Sequence, residues 1–157
     1  MPKRLSRFGV GPRIAVSTAG YAILAGLVSR QWPHIFRLGL LAHPAFITIA
    51  VTLIVLGVPM YVIGVASVMR AYNRDQLVTS GAFALVRHPV YAAWIVFLLP
   101  GLALLSRSLP LLLTPLVAFA TFKTLIGKED DYLKARFGQT YLDYRARVRE
   151  IVPLPRF

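Results

Sequence analysis

The chain has 157 residues, 57% of them hydrophobic and 15% charged, with a mean hydropathy of +0.63. An average soluble domain is only about 45–50% apolar, so the composition describes one membrane-embedded domain, residues 1–157. There is no cysteine, which excludes disulfide frameworks, thiolate metal sites and cysteine nucleophiles; the net charge of +12 calls for an anionic partner, and in so apolar a chain that partner is expected to be anionic lipid head groups, not nucleic acid.

Four stretches approach the roughly 20 apolar residues that a spanning helix needs: about 14–32, 45–70, 89–106 and 109–126. The expected fold is therefore all-α: an integral membrane helical bundle of about four transmembrane helices, followed by a C-terminal amphipathic cytoplasmic helical segment over 127–157. The opening "MPKRLSRFGVGPR" and the apolar run after it have the outline of a signal peptide, but no small-residue cleavage site follows and three more spans do, so it reads as a retained first helix. That helix closes on Gln31, Trp32 and Pro33, residues suited to an interface. The second span carries Pro59 as an expected kink. The third and fourth are joined only by "SRSLP", which makes them a helical hairpin.

Charge orients the bundle. Lys3, Arg4, Arg7, Arg13, Arg70, Arg74, Arg87 and every Lys and Arg from Lys123 onward fall on one side, leaving Arg30, Arg37 and Arg107 on the other. By the positive-inside rule the basic side, with both termini, is expected to be cytoplasmic, in what reads as a bacterial inner membrane.

The tail holds five of the six acids, and Leu133, Phe137, Tyr141, Tyr144 and Val148 recur at spacings of three and four. This predicts an amphipathic helix pair broken at Gly138, with Thr140 as the second N-cap. As a surface-lying anchor it would set Arg145, Arg147 and Arg149 against lipid phosphates.

The ionisable step "SGAFALVRHPVYAAW" at the mouth of the third span needs a reason, because charged groups are costly inside a membrane. Read alone, Arg87 is a snorkelling arginine and His88 a structural histidine at a helix start, with Pro89 in the first turn. The acids after the fourth span read alone as helix capping.

Taken in order, "LVTSGAFALVRHPVYAAW", "KEDDYLKARFGQTYLDYRARV" and the closing "VPLP" resemble the isoprenylcysteine carboxyl methyltransferase family and its phospholipid methyltransferase relatives, over roughly residues 77 to 155. The resemblance implies methyl transfer from S-adenosylmethionine bound on the cytosolic side to a lipophilic small molecule or lipid arriving from the bilayer. It implies Arg87 and Glu129 as catalytic, and Gly81, Phe83, His88, Pro89, Tyr91 and Glu129 as cofactor-binding. Arg87 is expected to hold the donor's carboxylate and Glu129 to work nearer the reacting centre. Asp130 stands where the family has a second glutamate, one methylene shorter, while Lys128 and Asp131 read as solvated neighbours. The hairpin should return Glu129 to the face that Arg87 occupies, so that both face one cavity. No metal site is expected, since His34 and His43 are predicted on the opposite side from His88. Alternative readings are a phospholipid (ethanolamine) N-methyltransferase and, from another class, a sterol-reductase-like membrane enzyme using NADPH, which has a similar Arg-His-Pro-x-Tyr step.

Overall fold

The computed structural model describes residues 9–74 and 76–152. Four helices are long and apolar enough to cross a membrane. Helix α1 is Gly11–Gln31 and α2 is Pro44–Arg74. Helix α3 spans Pro89–Ser106, α4 spans Thr114–Phe137, and a short α5, Gln139–Arg147, follows. Among the described residues no strand forms, and the chain is the integral membrane helical bundle that its hydropathy predicts.

Proline recurs in the first turn of these helices, at Pro12, Pro44, Pro89 and Pro115. In the first turn its missing N–H would be unsatisfied anyway and its fixed φ is already helical. Pro59 lies inside α2 without ending it.

Helix α1 packs on α4, and α2 on α3. Three polar contacts fix the α1 register along the hairpin: Ser17 Oγ lies 3.3 Å from Thr121 Oγ1, Tyr21 Oη donates to the Pro110 carbonyl at 2.9 Å, and Ser29 Oγ lies 2.5 Å from Ser108 Oγ. The α2–α3 seam is close instead of polar. A Cβ on Gly101 would come within 2.8 Å of the Ile54 side chain and 2.9 Å of the Ala50 carbonyl oxygen, the approach that small residues allow between membrane helices. Within α3, Ala93–Leu98 opens into a π-helical turn that the sequence did not announce.

The loop after α1 meets the hairpin turn, where Leu38 N donates to the Arg107 carbonyl at 2.8 Å. That places His34, His43 and Arg107 at the membrane face opposite the starts of α1 and α3, as alternation of the spans requires. A buried core lies toward the other face, where Val10, Ile14, Val86, Ile95, Phe122, Ile126 and Ile151 pack together.

Two expectations need correction. The fourth span does not hand over to a separate tail at 126: after a turn at Leu109–Leu112, α4 runs unbroken from Thr114 to Phe137. The polar "KEDD" looks like a membrane boundary, but Ile126 and Asp130 keep a buried stripe running along the same helix through it. The break at Gly138 occurs as expected; Thr140 is not the N-cap, because α5 begins at Gln139 with Gly138 itself in the cap position.

Replacing Gly101 by Val should lower stability by about 1–3 kcal/mol through overpacking, seen as a reduced melting temperature in detergent. An unchanged melting temperature would show that the α2–α3 seam is looser than described.

Candidate active site

The hydrophobic run of α3 begins at Pro89, so Arg87 and His88 sit just outside it, in a stretch that ends the short turn Ala82–Leu85. What holds this stretch is the chain's C-terminal segment. Arg87 N donates to the Arg149 carbonyl at 2.7 Å, His88 N donates to the Glu150 carbonyl at 2.9 Å, and Ile151 is buried beneath. Tyr144, on α5, donates from its hydroxyl to the Phe83 carbonyl at 2.6 Å. The tail is thus a strap under the Arg-His step, where a surface anchor was expected.

Both side chains of the step are buried, with Arg87 and His88 each 5% exposed. Arg87 Nη1 lies 3.2 Å from both Asp130 carboxylate oxygens and 3.2 Å from Tyr141 Oη, and its Nη2 lies 3.5 Å from Glu150 Oε1. Tyr141 donates its own hydroxyl to Asp130 Oδ1. Burial, reinforced by the Asp130 carboxylate, pushes the Tyr141 phenol well above its ordinary range, so it stays a neutral donor. Burial likewise raises Tyr144, with Arg87 pulling the other way. Arg87 is therefore no snorkelling arginine: it is the centre of a buried ion cluster. Its Nε is buried and has no hydrogen-bond partner.

Glu129 precedes Asp130 on α4 and so points about 100° away around the helix. Its Oε2 accepts from Tyr91 Oη at 3.0 Å and from the Val10 N–H at 3.3 Å, and its Oε1 lies 3.7 Å from His88 Nδ1. His88 Nε2 is 3.5 Å from Asp130 Oδ1 and makes no hydrogen bond. The histidine ring is wedged by aromatic neighbours, 5.8 Å from Tyr91 and 5.9 Å from Phe122, centroid to centroid.

Two cavities meet here. One, the surface cavity, of about 180 Å³, lies toward the face where α1 and α3 start and is lined by Arg87, His88, Glu129, Tyr132, Arg136, Phe137 and Tyr144. The second, of about 560 Å³, runs into the membrane between α1, α2 and α3, past Thr18, Ala22, Tyr61, Val65, Trp94 and Leu99. Gly9, Val68, Phe83, His88 and Glu129 line both. A carboxylate and an imidazole thus stand where a polar pocket touches an apolar one.

The structure brings Arg87, His88, Phe83, Tyr91, Pro89 and Glu129 to this junction, with Pro89 and Tyr91 on the membrane cavity and Arg87 on the surface cavity. Gly81 lines neither and is exposed. Lys128 and Asp131 are exposed as expected. Tyr141 and Tyr144 were legible only as part of an apolar stripe, and Glu150 and Val10 carried no signal at all. Of the three tail arginines, Arg145 turns back to within 3.7 Å of Asp130, Arg147 bonds the Asp143 carbonyl, and Arg149 is half-buried.

A family model described as "Isoprenylcysteine carboxyl methyltransferase (ICMT) family" matches residues 45–135. The chain belongs to that family. The match reaches back to Ala45 and so takes in α2, where the sequence motifs had covered only roughly residues 77 to 155. Similar curated proteins include "Protein-S-isoprenylcysteine O-methyltransferase" of Schizosaccharomyces pombe, 39% identical over 83 residues, covering 52% of this chain and 35% of that protein. "Protein-S-isoprenylcysteine O-methyltransferase B" of Arabidopsis thaliana is 29% identical over 85 residues, covering 54% and 43%. The Dictyostelium discoideum protein of the same family name is 31% identical over 77 residues, covering 49% and 32%. The matched stretch is therefore less than half the length of these relatives. No solved structure matches the chain.

Removing one partner of a buried ion pair strands the other charge, at a cost of about 3–5 kcal/mol. Asp130→Ala should therefore destabilise the protein by about that much in detergent, and the double variant Arg87→Met, Asp130→Leu should recover most of the loss. Equal stability of Asp130→Ala and the wild type would rule out the buried cluster.

Proposed function

We propose that this protein is an S-adenosylmethionine-dependent membrane methyltransferase that esterifies a carboxylate on an apolar chain, an isoprenylcysteine-like acceptor. The observation that carries the reading is the meeting of the surface cavity and the membrane cavity at His88 and Glu129. Family membership and the relatives' name, protein-S-isoprenylcysteine O-methyltransferase, support the chemistry.

The residues of the surface cavity fit a donor that combines an adenine, a carboxylate and a sulfonium. Phe83, Tyr132, Phe137 and Tyr144 offer aromatic faces, and Arg136 stacks at 5.8 Å over both the Tyr132 and Phe137 rings. The Arg136 guanidinium on the cavity wall supplies a cationic donor for a carboxylate, with the charge of the buried Arg87 behind it. When bound, the donor supplies an electrophilic methyl group and leaves as its uncharged thioether.

The apolar body of the acceptor lies in the membrane cavity, against Tyr61, Val65, Trp94 and Leu99, with its carboxylate at the junction. An ionised carboxylate needs no base to attack a methyl group. The protein's task is thus alignment and exclusion of water. Glu129, pinned through Oε2 by Tyr91 and Val10 and with Oε1 3.7 Å from His88 Nδ1, lines the junction and places negative charge beside the positively charged centre. His88 braces that carboxylate, and Arg87 and Asp130 hold α4 against the start of α3. The basic side of the bundle is cytoplasmic in this reading, so the surface cavity opens to the soluble donor, and the exposed tail arginines meet anionic head groups.

Three outcomes test the assignment. Calorimetry in detergent should show micromolar binding of S-adenosylmethionine or its demethylated product, about −8 kcal/mol; binding of a nicotinamide dinucleotide instead would identify a reductase. Labelled donor incubated with a prenylated cysteine bearing a free carboxylate should yield a base-labile methyl ester, and label on phospholipid amine instead would move the acceptor to that class. Glu129→Gln keeps the shape and removes the charge, so turnover at saturating donor should fall roughly tenfold to a hundredfold while donor affinity changes little. Full turnover in that variant would remove Glu129 from the reacting centre.

A further inference from the structure

Glu129 Oε2 has two protein donors, and one of them is backbone from the far end of the chain: the Val10 N–H at 3.3 Å, beside Tyr91 Oη at 3.0 Å. Val10 is 3% exposed and anchored in the core with Ile14, Val86, Phe122 and Ile126. Its N–H also belongs to the start of a 21-residue helix, where unsatisfied donors favour a carboxylate. The preceding residue is fitted to the same group. Gly9 has φ +53, a conformation costly for any other side chain, and a Cβ there would come within 2.9 Å of Glu129 Cδ and 3.2 Å of Tyr91 Oη. Gly9 also lines both cavities.

From these contacts we infer that the Gly9–Val10 backbone is a positioning element for Glu129, which closes the site over the junction of the two cavities and leaves Oε1 as the working oxygen. The inference rests on the methyl-transfer reading for its consequence in turnover. The segment lies ahead of residues 45–135, so the site is completed by chain outside the matched region.

The test compares Val10→Pro with Val10→Ala in the full chain in detergent or vesicles. Both change the buried side chain, and only proline deletes the N–H. Turnover at saturating donor and acceptor should be about tenfold lower in Val10→Pro than in Val10→Ala, with donor affinity equal within about twofold. Gly9→Ala should show the same loss, and Gly20→Ala, on the α1 helix that follows and with open space around it, should not. A second readout needs no turnover: carbodiimide modification of the Glu129 carboxyl, followed by peptide mapping, should be faster in Val10→Pro and Gly9→Ala than in Val10→Ala. Equal modification rates and equal turnover across these variants would overturn the positioning role. A wild type that transfers no methyl, while the modification rates still differ as expected, would overturn the methyl-transfer reading and leave the positioning role standing. Should Val10→Pro fail to fold, Gly9→Ala against Gly20→Ala carries both comparisons.

Discussion

An arginine buried at the edge of a membrane core must be paired, because an unpaired charge there costs several kcal/mol. Arg87 meets that requirement with groups from three separate parts of the chain: Asp130 on α4, Tyr141 on α5 and Glu150 in the C-terminal segment. Each partner has a structural consequence. Asp130 can reach only if α4 continues past the membrane boundary; Tyr141 only if the chain turns back at Gly138; Glu150 only if the tail folds under the start of α3. The rest of the site then follows from helix geometry. With Asp130 turned toward Arg87, the neighbouring Glu129 is rotated toward Tyr91 and the start of α1, where His88 and the Val10 N–H meet it. The buried pair adds little net stability over an apolar replacement of similar volume, which would hold the helices together about as well, whereas removal of one partner alone is costly.

The spans were legible because hydropathy over about twenty residues is a local property, and so was the hairpin, because "SRSLP" allows no longer excursion. That geometry was enough to place Arg87 beside the acids after the fourth span from sequence alone. The extension of α4 was not legible. "GKEDDYLKARF" reads as a boundary by composition, and only tertiary contacts of Ile126 and Asp130 reveal a helix with one face still buried. The π-helical turn at Ala93–Leu98, which packs against α2, leaves no mark in the apolar periodicity of α3. Tyr141 looked like one apolar residue among several, since a phenol on an amphipathic stripe looks the same whether its hydroxyl meets water or a carboxylate. Val10 acts through its backbone, and sequence patterns carry no sign of that.

The proposed reaction would have to reconcile two solvents. A polar, charged ligand and an apolar chain have no common phase in which to react, and a site for both must open on one side to water and on the other to lipid. Here the surface cavity supplies aromatic and cationic groups, the membrane cavity is mostly apolar, and the shared wall holds one carboxylate and one imidazole. His88 stands at the start of α3 and Glu129 meets the start of α1, so the backbone N–H of Val10 and the ion cluster around Arg87 are at hand to hold these polar groups.

The claim that both pockets serve one reaction is tested most directly by a bisubstrate compound, an adenosyl amino acid joined through its sulfur position to a prenyl-like chain. Initial rates of methyl transfer, measured with the donor and the lipidic acceptor varied in turn, should show it competing with both substrates and binding more tightly than either half alone. Competition with the donor but not with the acceptor would mean that the membrane cavity is not where the acceptor reacts.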